Sequence, residues 1–173
     1  EKEQFMKMRS AVVLASAALL ALVVSNGCGG KKKPDGMPEI YPTTIVVTQN
    51  GAPLAGAALN LASQDTPWSV GGKTDENGRA VLVTHGDYKG APAGTFKVGV
   101  VKVDIQLREN AKDDEGNPIQ LTEEQKKNME MVDARFTVQT PLVPDAYMNS
   151  ATSPLEVTIA ADTKELTVEV PAR

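Results

Sequence analysis

A single cysteine, a single histidine and a single tryptophan set the first limits on this sequence. With Cys28 alone no intramolecular disulfide can form, and one thiol is left to explain. Cys28 and His85 together are too few soft ligands for a zinc site, which takes three or four. Aromatic residues make up only 4% of the chain, little material for a platform on which bases stack in series. Basic residues are outnumbered, 18 Lys+Arg against 22 Asp+Glu, so the clustered positive charge of a nucleic-acid binder is missing. No serine sits in a Gly-x-Ser-x-Gly elbow, which removes one frequent form of hydrolytic nucleophile. What remains is a chain with a globular share of hydrophobic residues, 41%, in 173 residues, enough for one domain plus extras.

The first thirty residues have their own pattern. Lys7 and Arg9 precede an uncharged apolar run over residues 11–24, followed by Ser25-Asn26-Gly27-Cys28. A positive start, a short apolar stretch and small residues at its end are the parts of a secretory signal, with Met6 or Met8 as the expected start. A membrane-spanning helix needs roughly 20 apolar residues, so this run is too short for a permanent span. Two cuts are open, and both fall before Cys28. Ser25-x-Gly27 suits an ordinary signal peptidase. Gly27-Cys28 resembles a bacterial lipobox, in which the thiol takes palmitate-type acyl chains and becomes the new N-terminus; Ser25 departs from the aliphatic residue usual there. A lone cysteine at this border favours lipidation. Residues 28–39 then read as a lipidated cysteine and a flexible tether, because Gly29, Gly30, Lys31, Lys32 and Lys33 have nothing to bury.

From residue 40 onward the pattern is short strands and turns, predicting an all-β domain over residues 40–173. Ile45 and Val47 alternate with polar neighbours, and Asn50-Gly51 is a strong hairpin signal. Ala57, Leu59 and Leu61 share one face of a strand expected over 54–62. Asp75-Glu76-Asn77-Gly78 predicts a second turn, with residues 79–84 returning as one strand and 85–94 irregular. Phe96, Val98 and Val100 have one parity and Val101, Val103, Ile105 and Leu107 the other. One buried face cannot survive that switch, so the strand is expected to carry a bulge near Val100-Val101, to bend, or to split between sheets. Leu155, Val157 and Ile159, then Leu166, Val168 and Val170, predict a terminal hairpin around residues 161–164. About seven strands in this length predict a two-sheet sandwich, transthyretin-like or immunoglobulin-like.

Residues 109–133 interrupt this pattern with eight acidic and three basic residues. Thr122-Glu123-Glu124-Gln125 has the form of a capping box, predicting a short helix to about Asp133. Asp113 and Glu124 stand at the first and twelfth positions of a calcium-type loop, but the sixth is Pro118 where the turn requires glycine. A solvated acidic loop is the favoured reading. Asp75 and Asn77 are read as turn formers rather than ligands.

Four segments, in order, resemble a known family. Gly51-Ala52-Pro53-Leu54-Ala55-Gly56-Ala57, the hairpin Gly72-Lys73-Thr74-Asp75-Glu76-Asn77-Gly78-Arg79, the strand entry Ala91-Pro92-Ala93-Gly94-Thr95-Phe96-Lys97-Val98, and Leu142-Val143-Pro144-Asp145-Ala146-Tyr147 with Ser153-Pro154-Leu155 are similar to carboxypeptidase regulatory-like domains of small bacterial lipoproteins. Ala80, where an aromatic residue is common, and the acidic insertion depart from that pattern. The resemblance implies a transthyretin-like sandwich, no active site and no cofactor. Some relatives carry an internal Lys-Asn isopeptide staple; residues 43–49 hold no lysine and 165–170 no asparagine, so none is expected here.

The expected function is therefore a non-enzymatic lipoprotein of the cell envelope, membrane-bound through Cys28, whose sandwich contacts an unidentified envelope protein. The alternative is a small-ligand or glycan-binding module using loops around Trp68, Tyr88 and Tyr147. A hydrolase would rest on His85, with Asp87 nearby, and is the least supported. No metal site and no nucleic-acid partner are expected.

Overall fold

The computed structural model describes residues 32–173, and Asp35–Arg173 form one compact unit. The signal, the cut and Cys28 lie outside the described residues. Alternation of apolar and polar side chains decides the architecture. In β2 (Thr44–Gln49) Ile45 and Val47 are buried, and in β4 (Ala58–Ala62) Leu59 and Leu61 are. In β10 (Gly94–Val101) the buried set is Phe96, Val98 and Val100. Each strand turns one face inward, as period-2 patterning requires. The product is an all-β sandwich of two sheets with a short helix in its insertion.

The larger sheet runs β13 (Glu156–Ile159), β10, β4, β5 (Val70–Lys73), β7 (Val83–Thr84), β8 (Tyr88–Lys89). The smaller is built on β2. It pairs parallel with β14 (Glu165–Val170) on one side and antiparallel with β3 (Ala52–Pro53) and β6 (Arg79–Val81) on the other. Two ribbons flank them, β1 (Ile40–Tyr41) with β9 (Ala91–Pro92), and β11 (Val103–Leu107) with β12 (Thr137–Pro141). The core between the sheets is nearly all aliphatic; Phe96 is the largest fully buried side chain.

The Asn50-Gly51 hairpin forms as expected: both residues have positive φ, 52° and 76°, and join Gln49 to Ala52. Asp75–Gly78 is also a turn. The Asp75 carboxylate accepts from the Asn77 and Arg79 amides, each at 2.9 Å, and Gly78 has φ 72°. Its strands do not pair with each other, however. β5 stays in the larger sheet, whereas β6 joins β2 in the smaller one.

Several other expectations are corrected. Residues 79–84 are two strands broken at Leu82, whose amide donates to the Thr43 carbonyl and whose carbonyl accepts from Gly90. The ordered strand at 54–62 begins only at Ala58, because Gly56, with φ 67°, turns the chain first. Residues 85–94 are not wholly irregular; β8 and β9 lie within them. No bulge forms near Val100. The β10–β4 register runs unbroken to Val101, and the parity switch is met by splitting: after Lys102 the chain leaves the sheet as β11. The terminal hairpin does not form. β13 pairs with β10 and β14 with β2, so these strands face each other across the core, where Ile159, Val168 and Val170 are all buried. The capping box forms as expected, with Thr122 Oγ1 accepting from the Gln125 amide and Gln125 Oε1 from the Thr122 amide. The helix α1 (Glu123–Lys127) is shorter than expected. Asn128 leaves helical geometry and its side chain accepts from Glu130, starting a 3₁₀ turn.

One buried hydroxyl ties the end of β5 to the turn before β4. Thr74 Oγ1 donates to the Leu54 carbonyl at 2.6 Å and accepts from the Ala57 amide at 2.7 Å. Valine matches threonine in shape and leaves both backbone groups without that partner. A buried polar group left unpaired costs about 1–3 kcal/mol. Thr74→Val is therefore expected to lower unfolding stability by about 2–4 kcal/mol, read by urea denaturation. Thr158→Val, at an exposed hydroxyl in β13, is expected to change it by less than about 0.5 kcal/mol.

Candidate functional site

The three aromatic residues singled out from the sequence belong to three different parts of the fold. Trp68 lies in the β4–β5 loop, half-buried, its amide donating to Thr66 Oγ1 at 3.3 Å. Tyr88 is half-buried in β8, opposite Thr84. Tyr147 belongs to α2 (Asp145–Met148), which packs over β10 and lends Tyr147 and Met148 to the edge of the core. Gly99 permits that approach: a Cβ there would stand 2.7 Å from the Ser150 amide nitrogen.

His85 belongs with Trp68. Its ring meets the indole edge to face, centroids 5.5 Å apart at 89°, and its amide donates to the Ser69 carbonyl at 2.8 Å. The backbone of His85 is left-handed, φ 54°, followed by Gly86 at φ 75°, which turns β7 into β8.

The other face of Trp68's surroundings is an open groove of about 410 Å³. Its floor is the β1–β9 ribbon, in which Ile40 pairs with Pro92 and Tyr41 with Ala91. Tyr41 and Trp68 are its aromatic residues, and Pro38, Pro67 and Pro92 stiffen its walls. Among the described residues that line it, the ionisable groups besides Tyr41 are Glu39 and Asp65, with no lysine or arginine. Glu39 accepts from the Tyr41 hydroxyl at 3.2 Å, and that hydrogen bond holds the phenol above its ordinary pKa. A second groove, about 520 Å³, shares Asp65 with the first, and Ser63, Gln64, Thr95 and the Lys97–Glu156 ion pair are among its lining residues. Tyr41 was not legible as a site residue. Its position depends on a pairing 50 residues away in sequence, and the local motif Ile40-Tyr41-Pro42 signals only a strand start.

In the insertion, Asp113 is a turn former. Its Oδ1 accepts from the Glu115 and Asn117 amides at 3.0 and 2.7 Å, and its Oδ2 from the Asn117 side chain at 3.3 Å. Asp133 similarly holds the Arg135 amide and guanidinium. Among the described residues, no group of three or more His, Cys, Asp or Glu side chains is placed to hold a metal ion.

No family model matches this chain, and no curated protein matches it. Among solved structures, a 9R-lipoxygenase from Cyanothece PCC8801 is similar at 16% identity with a TM-score of 0.31. The alignment covers 96% of this chain and 24% of that one, so this chain spans about a quarter of its length.

Hydrogen bonds to the charged form, the Asn117 amide first, hold the Asp113 carboxyl below its ordinary 3.8. A lowered folded-state pKa means stabilisation that is complete above the ordinary value and is lost as pH falls through the lowered one. Protection of the Asn117 amide against hydrogen exchange should therefore hold at neutral pH and decline only on acidification below 3.8. In Asp113→Asn that acid-dependent step should disappear.

Proposed function

We propose that this chain is a non-enzymatic lipoprotein of the cell envelope, anchored through acyl chains on Cys28, whose carboxypeptidase regulatory-like sandwich makes protein contacts. The observation that carries this reading is the placement of the only cysteine. It follows a basic start and a 14-residue apolar run, and stands twelve residues before the first strand at Ile40. Twelve extended residues reach at most about 40 Å, enough to hold a domain clear of a lipid surface. Each buried methylene contributes about 0.8 kcal/mol, so two acyl chains make the attachment stable.

The family resemblance is supported by the backbone at its motif glycines. Gly51, Gly56, Gly78 and Gly94 fall in three of the four segments, and all have positive φ. At Gly78 a Cβ would also stand 2.6 Å from the Val47 carbonyl oxygen. The buried polar groups are used within the fold. Among the described residues, every buried side-chain nitrogen or oxygen has a hydrogen-bond partner inside the fold. The hydroxyls of Thr43, Thr74 and Thr84 all serve backbone groups.

The test is the intact mass of the mature protein from its native membrane fraction, beside Cys28→Ala. The expected mass begins at Cys28 and includes acyl chains, and the variant is expected in the soluble fraction. A mass beginning at Cys28 without lipid would make this a freely secreted sandwich and overturn the anchor.

A further inference from the structure

The groove beside Trp68 has a chemistry that the anchored-sandwich reading does not use. Two aromatic rings, Tyr41 and Trp68, stand with two carboxylates, Glu39 and Asp65, in a space that no positive side chain lines among the described residues. Aromatic faces attract cations through the ring quadrupole, and carboxylates add charge attraction. The same set repels phosphates and other anions. Proline fixes its own φ, so walls built on Pro38, Pro67 and Pro92 lose little freedom when filled. At about 410 Å³ the groove falls in the range of pre-formed ligand sites. A second groove of about 520 Å³ shares Asp65 with it, and its one lysine, Lys97, is held by Glu156 at 3.2 Å.

We propose that this groove binds an extended segment of a partner protein bearing lysine or arginine, the cation lying against Tyr41 and Trp68 and paired with Glu39 and Asp65. The proposal rests on the reading of the sandwich as a protein-contact module, and supplies the surface and the chemistry of the partner. An extended chain fits because flat aromatic and proline walls accept a backbone already in polyproline geometry. The second groove, which shares Asp65, offers Ser63, Gln64 and Thr95 as hydrogen-bonding groups to the chain's following residues. A small free cation would leave that second space unused. His85, edge to face with the indole, backs Trp68.

Trp68 is the sole tryptophan, so its emission reports on this groove and nowhere else. The mature chain in detergent is titrated with an eight-residue peptide of alternating proline and lysine. The same peptide with glutamate for lysine, and neutral maltohexaose, are the comparison probes. A saturable emission change is expected with the lysine peptide and none with the glutamate peptide. In Glu39→Gln/Asp65→Asn, unfolding at the wild-type temperature, binding should weaken at least about fivefold, the size expected for two exposed charge pairs. Rising salt should weaken the wild type similarly by screening. Calorimetry with Trp68→Phe gives a readout independent of the fluorophore. No response to the lysine peptide, equal affinity in the double variant, or a response confined to maltohexaose would overturn the proposal. Membrane-extracted protein separates the two readings. A complex that survives in the double variant places the contact surface elsewhere and overturns the groove alone. A monomeric wild type that still binds the lysine peptide supports the groove and removes the protein-contact reading.

Discussion

The smaller sheet depends on one strand. β2 is hydrogen-bonded along both sides, to β14 on one and to β3 and β6 on the other, and these three have no other partner among the described strands. Its inward residues Ile45 and Val47 are fully buried. A strand so placed must satisfy two ladders and one packing surface at once. The parallel β14 pairing also brings the last strand against β2, which closes the sandwich over Val168 and Val170. Antiparallel pairs with local turns form early and cheaply, whereas this pairing joins residues about 120 apart and carries the entropy of a long loop.

The second constraint is that the chain changes sheets several times, and each change exposes backbone groups that need partners. At Leu82 the change is satisfied by Thr43 and Gly90. At Lys102 the carbonyl accepts from Leu142, which fixes where the β11–β12 ribbon and its acidic insertion leave the body. Between β13 and β14, Thr163 Oγ1 accepts from the Ala160 amide and the Thr163 carbonyl from Thr43. Thr43, itself buried, therefore serves two of the crossings. The aliphatic core can be thin in aromatics because these crossings, with Thr74, hold the sheets in register.

What was legible in the sequence was local. The inward sets of β2, β4 and β10, the Asn50-Gly51 and Asp75–Gly78 turns and the capping box at Thr122 follow from period and side-chain chemistry within a few residues. The parity switch after Val100 announced a change of surface, though not whether the chain would bulge or split. Pairing was where the reading failed. Two amphipathic strands with a short link look like a hairpin, and nothing in residues 155–170 says that each will find a better partner in a different sheet. The helix was overextended for a related reason: Asn128 competes for the backbone with its own side chain. Site residues divided in the same way. Trp68 could be named because tryptophan is rare here, but its neighbours Tyr41 and His85 arrive through β1–β9 and β7–β8 pairing.

That dependence bears on where a sandwich of this kind can hold a binding surface. The inward faces of its strands are spent on the core, and its buried hydroxyls on the crossings. The ribbons and loops at the ends offer a partner side chains where pairing is short and sequence is least constrained by packing. The groove of Tyr41 and Trp68 is of that origin: a two-residue ribbon for a floor and a loop for a wall. It also lies where the chain enters the fold, since Gly36, Pro38 and Glu39 line it. A partner segment seated there would meet only a ribbon and a loop, so contact at that end needs no change in the packed sheets behind it.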